Sequence, residues 1–460
     1  MKKTRLLLAA VAAGSVLAAL VGCSPSGGSN NGGSNNGGAV EHATDCTNKI
    51  KVKSVPTVTV WAWYPNMAGV VDNFNSTHKD VQACWRNAGA GVPEYDKFQT
   101  AVSAKKGAPD VVMLEADHLT NFEIQGALVD ISKYGANKVK SNFSEGAWKD
   151  ISSGSAVYAA PIDGGPLAMI YRTDVFKKYG ITTPPKTWDE YAKDAAKVKA
   201  AGGPAFGDLG GNVPALMMAL MIQKGATPFV YDYSKSPKDI TIKLDDQASK
   251  DVLDYWAGLS QKGLVGKQDQ FTTDYISGVV NGKYATYISA AWAPGYLAGA
   301  GVGKGKDKGK FATAPLPQWD PANPVSVNWG GSALAVTTQA NDKALAAKVA
   351  LGLYADDASL KDGWVNQVIF PLNQNVLKSP EFVNAKIDFF GGQTANKDVY
   401  VPAENAYKGF VYPPFTVYYY AQLQNQLTAI NGGKIGGAAA ATALQAKVVQ
   451  YAKSQGFNVK

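Results

Sequence analysis

From residue 57 onward, short runs of β-branched and aromatic residues alternate with stretches whose apolar positions recur every three to four residues. Residues 58–63 (VTVWAW) carry the strand pattern, and 67–76 (MAGVVDNFNS) place their apolar side chains at helical spacing. The alternation continues with a strand over 81–86, a helix over 94–104, a buried strand over 110–114 (DVVML) and a helix near 119–125. Strands separated by helices of about ten residues predict βαβ units and a parallel sheet, so the fold class is α/β.

Farther along, Tyr158 leads into APIDGGP and the apolar run 167–171 (LAMIY). Two apolar runs interrupted by Gly164, Gly165 and Pro166 predict a segment that leaves one body, bends and enters another. Helical patterns over 174–179, 188–200, 214–223 and 247–261 build that second body, followed by a strand over 284–289 (YATYIS) that runs into Ala290, Ala291 and Trp292. Residues 304–310 (KGKDKGK) read as a solvated charged loop. A second glycine-rich bend, 328–332 (NWGGS), precedes the strand pattern ALAVT, and helices over 344–354 and 438–454 complete the chain. No repeat of a solenoid period is present.

The start of the chain follows a different logic. Residues 1–22 combine a basic beginning with an apolar stretch too short and too alanine-rich for a membrane span, the pattern of a secretion signal. Leu20, Val21, Gly22 and Cys23 resemble a bacterial lipobox, which implies that Cys23 is lipidated and becomes the mature N-terminus. The glycine, serine and asparagine that dominate 24–38 cannot bury a core, so residues 23–44 are expected to tether the body to the outer face of the cytoplasmic membrane. Export changes how Cys46 and Cys84 are read. In an oxidising compartment, with no Cys-x-x-Cys spacing and no nearby histidine, they are expected to form one disulfide.

Composition narrows the chemistry. Of 460 residues, 46% are hydrophobic and 18% charged, and removing Lys2, Lys3 and Arg5 with the leader lowers the formal charge from +8 to +5, too mild and scattered for nucleic acid. No metalloprotease, nucleophile-elbow, P-loop or dinucleotide motif occurs, and three histidines (His42, His78, His118) leave little for a triad or a zinc site. No metal and no cofactor are expected. Glu115 and Asp117 follow a buried strand, at the end where α/β folds place ligands. That position suits either sugar hydroxyls or the carboxylate pair of a glycosidase.

Aromatic residues supply the positive signal. Trp63 and Tyr64 close the first strand, Trp292 ends another, Trp329 sits on the second glycine bend beside Gly330, and Tyr412, Tyr418, Tyr419 and Tyr420 crowd 411–420 (VYPPFTVYYY). Indole and phenol faces pack against the apolar faces of pyranose rings, while neighbouring polar side chains satisfy the hydroxyls. A carboxylate or phosphate ligand would call for guanidinium groups, and beyond the leader only Arg86 and Arg172 exist. A neutral polyol ligand follows.

With these residues in view, the chain resembles the extracellular solute-binding proteins of ABC importers, in the carbohydrate class related to maltose-binding protein. The resemblance rests on GAPDVV at 107–112, FEIQGALVD at 122–130, MIYRTDVFKKYGITTPPKTWDEY at 169–191, APLPQW at 314–319 and NWGGS at 328–332, in that order. It implies two α/β lobes, 45–163 with 330–371 and 164–329 with 372–460, that close on a sugar. Hinge crossings would fall near 162–167 and 328–332, with a third near Pro371. By motif, Asp117 matches the family's hydroxyl-binding carboxylate, Trp292 its stacking tryptophan, and the region of Tyr418 and Tyr419 a later aromatic platform. Asp163 and Trp329 would face the cleft at the hinges, with Asn212 a further ligand contact after Gly210 and Gly211. The sequence departs from the maltose-type pattern in having Leu114 and Glu115 before the cleft acid and His118 after it. The implied partners are a carbohydrate and an ABC permease, with the protein acting as a monomer and not as an enzyme; a surface glycosidase or a carbohydrate-binding adhesin is the alternative.

Overall fold

A computed structural model describes residues 45–460. The signal segment, the lipobox cysteine Cys23 and the tether lie outside the described residues, apart from the disulfide-bearing stretch that begins after them. Cys46 is bonded to Cys84, as the spacing and compartment argument expects.

The first three strands, Thr57–Trp61, Gln82–Arg86 and Val111–Glu115, are parallel neighbours, each followed or preceded by a helix as the pattern predicts. The parallel reading does not extend farther. Asn328–Val336 returns antiparallel beside Val111–Glu115, with Ser332 opposite Glu115 and Ala335 opposite Val112. It also lies antiparallel to Ala159–Arg172. That long strand corrects the expectation of a bend at Gly164–Pro166, because its 14 residues run through the glycines without a turn.

Glycine is required there for close approach. A Cβ at Gly165 would lie 1.9 Å from the carbonyl oxygen of Trp329, so the two crossing strands touch backbone to backbone. The first half of Ala159–Arg172 pairs with Asn328–Val336, and its second half pairs antiparallel with Thr286–Ala290 on one side and Phe311–Pro315 on the other. Pro371 forms a bridge to Asp163, flanked by hydrogen bonds from Gly164 N to Phe370 O and from Leu372 N to Ile162 O.

Strand alternation divides the core. Ala168 and Ile170 join a cluster that holds Val60, Val112 and Leu334 and continues to Tyr275, Tyr287 and Leu297. Leu167 and Met169, on the opposite face, join a second cluster with Trp188, Trp256, Leu423 and Leu444. The charged loop at 304–310 is only partly solvated: Asp307 is buried and accepts from Arg172 Nη2 at 3.1 Å and Lys310 Nζ at 3.2 Å. Arg172 also forks onto Asp174 at 3.0 and 2.8 Å. Its guanidinium therefore fastens the end of Ala159–Arg172 to the first turn of the helix that follows and to the 304–310 loop.

Candidate functional site

Three parallel strands end along one edge, and the residues that follow them form one wall of a cleft. Trp63, half-buried beyond Thr57–Trp61, meets Tyr95 edge-on at 5.6 Å between ring centres. Tyr95, from the helix Val92–Ala104, donates to Glu115 Oε2 at 2.8 Å and stacks on His118 at 4.1 Å. His118 Nδ1 lies 2.5 Å from Asp117 Oδ1 in the first turn of the helix Ala116–Glu123. Burial raises the Glu115 carboxyl, and Asp117 beside it adds to the effect. Burial works against the His118 cation, but the Asp117 carboxylate outweighs it and raises that group as well.

The floor of the cleft is the strand crossing. Asp163 is buried, and its Oδ1 accepts from Tyr64 Oη at 2.6 Å and from Ser332 N at 2.9 Å. Burial pushes its carboxyl to about 6 against the pull of those hydrogen bonds. Beside it, Glu404 accepts from Ser144 Oγ at 3.0 Å and from Asn328 Nδ2 at 3.1 Å, joining a helix cap on one side to the crossing strand and a helix on the other.

The opposite wall is aromatic. Trp292 donates through Nε1 to the carbonyl oxygen of Trp329 at 2.9 Å, and the two indoles meet at 5.3 Å and 71°. Gly330, with φ of +77°, brings the walls together: a Cβ there would lie 3.4 Å from Trp292 Nε1 and 3.9 Å from Glu115 Oε1. Two small cavities remain at the centre. One of about 20 Å³ touches Asp163, Gly330 and Ser332, and one of about 10 Å³ touches Glu115, Asp117, Trp329, Gly330, Tyr412 and Tyr420. Each has room for about one water molecule.

The structure thus brings together Glu115, Asp117, Asp163, Trp292, Trp329 and Gly330, with Trp63 behind Tyr95. It corrects four expectations. Tyr64 is buried, bonded to Asp163 and packed edge-on against Tyr354 at 6.2 Å, so it supports the floor from below. Asn212 holds the backbone of Gln270 through Nδ2 to O at 2.7 Å and Oδ1 from N at 2.9 Å, which uses its amide within the loop. Tyr418 stacks on Tyr451 of the last helix at 3.7 Å and 8°. Tyr419 is fully buried against Phe229 at 5.0 Å.

The reason is helical geometry. Thr416–Asn431 is an α-helix, so three successive tyrosines point about 100° apart and only one can face a given wall. That one is Tyr420. Burial, then the Asp117 carboxylate, hold its phenol well above the ordinary value. Tyr412 lines the same cavity. Phe271 and Tyr296 were missed as well: Phe271 lies 6.1 Å from Trp292, 5.4 Å from Tyr296 and 5.8 Å from Trp329. The sequence around Phe271 carries no stacking signal, and only its fold-dependent neighbours reveal it.

Known proteins are similar to this chain in sequence and fold. The family model described as bacterial extracellular solute-binding protein matches residues 63–361. The arabinooligosaccharide-binding protein of Bacillus subtilis is 24% identical over 310 residues, which span 65% of this chain and 69% of that protein. Among solved structures, the ABC transporter associated binding protein from B. animalis subsp. lactis, in complex with β-1,6-galactobiose, is 28% identical, with a TM-score of 0.74 over 88% of this chain and 100% of its own. The galacto-N-biose-/lacto-N-biose I-binding protein of Bifidobacterium longum, 21% identical, shares the fold with a TM-score of 0.77 over 88% of this chain and 99% of its own.

Proposed function

The chain belongs to the bacterial extracellular solute-binding proteins, and from that membership we propose that it captures a neutral sugar, an oligosaccharide, for an ABC importer. The observation that carries this reading is the pairing across Gly330 of an aromatic wall, Trp292 and Trp329, with a hydrogen-bonding wall, Glu115 and Asp117. Stacking faces on one side and carboxylates on the other match a pyranose, which is apolar on its faces and polar at its rim. Arg172, one of the two arginines beyond the leader, is engaged by Asp174 and Asp307 and is not offered to an anionic ligand.

In this reading the lobes are 45–163 with 330–371 and 164–329 with 372–460. The hinges are the crossings at 162–167, 328–332 and Pro371. The ligand joins two half-sites and shifts an open-to-closed equilibrium by its greater affinity for the closed form. The protein acts as a monomeric receptor without turnover of its ligand. It hands that ligand to permease subunits and is held at the membrane surface by a lipid on Cys23 after cleavage of residues 1–22. Among the described residues no helix is long and apolar enough to cross a membrane.

Thermal unfolding of the body against a saccharide panel tests the function. The panel includes arabino-oligosaccharides and β-1,6-galactobiose, the sugars named for its relatives, with amino acids and peptides as controls. A ligand at a hundredfold excess over its Kd adds about 2.7 kcal/mol of stability. A response to one saccharide family, with the sugar recovered intact, supports the reading; a response to peptides alone, or a cleaved sugar, overturns it.

A further inference from the structure

Phe271 is 45% exposed at the edge of the aromatic wall. Its backbone is unusual. With φ of +63° it occupies the left-handed region, which phenylalanine rarely adopts and which persists only where the surroundings fix it.

They do fix it, from both sides. Gln270, immediately before, is buried and clamped at its own N–H and C=O by the Asn212 side chain. Gly211 N donates to Asp269 Oδ1 at 2.9 Å and Gln268 N to Asp208 Oδ1 at 3.2 Å, which tie the preceding residues down. Thr272, immediately after, caps the helix Thr273–Val280 by accepting from Tyr275 N at 3.2 Å. A loop held at this many points presents one exposed ring to the cleft mouth.

That ring adjoins Trp292 on the aromatic wall. The Phe271 and Trp292 planes are inclined by only 34° with centres 6.1 Å apart, so the two rings are neighbours of similar tilt, whereas Trp329 meets Phe271 at 66° and is itself buried. We propose that Phe271 is a specificity-determining residue. It stacks against the sugar unit next to the one held on Trp292, so the site selects chains of two or more units over monosaccharides. This rests on the carbohydrate reading and deepens it.

The test compares the unaltered protein with Phe271→Ala and Phe271→Trp by titration calorimetry. The probes are arabino- and galacto-oligosaccharides graded from one to five units. Stacking of this kind corresponds to about a threefold to tenfold loss of affinity when the ring is removed. Phe271→Ala is expected to show that loss for chains of two units and longer and none for the monosaccharide, with Phe271→Trp restoring it. Thermal midpoints without ligand check that the variants fold. An equal loss at every length, or no loss, overturns the inference while leaving the receptor reading intact. Absence of saccharide binding by the unaltered protein overturns both.

Discussion

The indole of Trp292 donates its hydrogen bond to the backbone of Trp329, so a residue that ends a strand in one half of the sheet is fixed to the strand that crosses between the halves. The ring is thereby oriented before any ligand arrives, and its stacking face costs little entropy to use. Trp292→Ala is expected to weaken saccharide binding by about thirtyfold or more, the scale of a central aromatic anchor. Trp292→Phe should fall between, because it keeps a stacking face and releases the tether. Calorimetry on both variants checks the order.

The three consecutive tyrosines give a sharper contrast. Tyr420→Phe removes the hydroxyl beside Asp117 and should weaken ligand binding, by about 1 kcal/mol or roughly fivefold. Tyr418→Ala, two residues away, should leave affinity unchanged and lower the thermal midpoint through loss of its stack on Tyr451. Equal effects of the two on affinity would show that the helix is rotated relative to the arrangement described.

Glu94 is fully buried at the start of Val92–Ala104 with neither carboxylate oxygen hydrogen-bonded, and burial raises its carboxyl to about 8. The folded state therefore binds this proton more tightly than the unfolded chain, whose carboxyl titrates near 4.5. Its stabilising contribution is complete below that value and is lost as pH rises from there through about 8. Glu94→Gln should raise the thermal midpoint at pH 8 and change it little at pH 4; a midpoint difference independent of pH would contradict the assignment.

Breaking the bond between Cys46 and Cys84, 38 residues apart, should cost about 4 kcal/mol by loop entropy. Denaturant titration of the protein with and without reductant measures it. Neither cysteine is among the residues that line the two central cavities, so saccharide affinity at a temperature where the reduced protein stays folded is expected to be unchanged.

Much of this was legible in the residues. The strand and helix spacing located Met67–Thr77, Trp188–Ala200 and Gln247–Gln261 within a residue or two, because each buries one face and polar positions mark the other, and Pro214–Gln223, buried nearly all round, was located by its uninterrupted apolar run after a proline. That Glu115, Asp117 and Trp292 come near one another follows the expectation from strand ends, which in α/β folds converge on one edge. What failed depended on direction in space. A cluster of tyrosines signals a platform, but which one faces the cleft is set by helix rotation, and the aromatic motif could not separate Tyr420 from Tyr418 and Tyr419. The glycines at 164 and 165 signal a special backbone, yet a turn and a close strand contact require the same residue. Phe271 was invisible because its neighbours Trp292, Tyr296 and Trp329 come from distant parts of the chain.

The unbroken strand Ala159–Arg172 puts the two halves of the molecule in phase. Alternate side chains of one ribbon supply both hydrophobic clusters, Ala168 and Ile170 to one and Leu167 and Met169 to the other. A single residue inserted among Gly164, Gly165 and Pro166 would exchange these memberships, placing each apolar set where its counterpart belongs, whereas two inserted residues would restore the parity and disturb only the crossing. Alternation along Leu167–Ile170 therefore sets which face each half turns inward, while the pairing of the first half with Asn328–Val336 takes up its irregularities in two register shifts, between Asn328 and Gly331 and between Ser332 and Ala333.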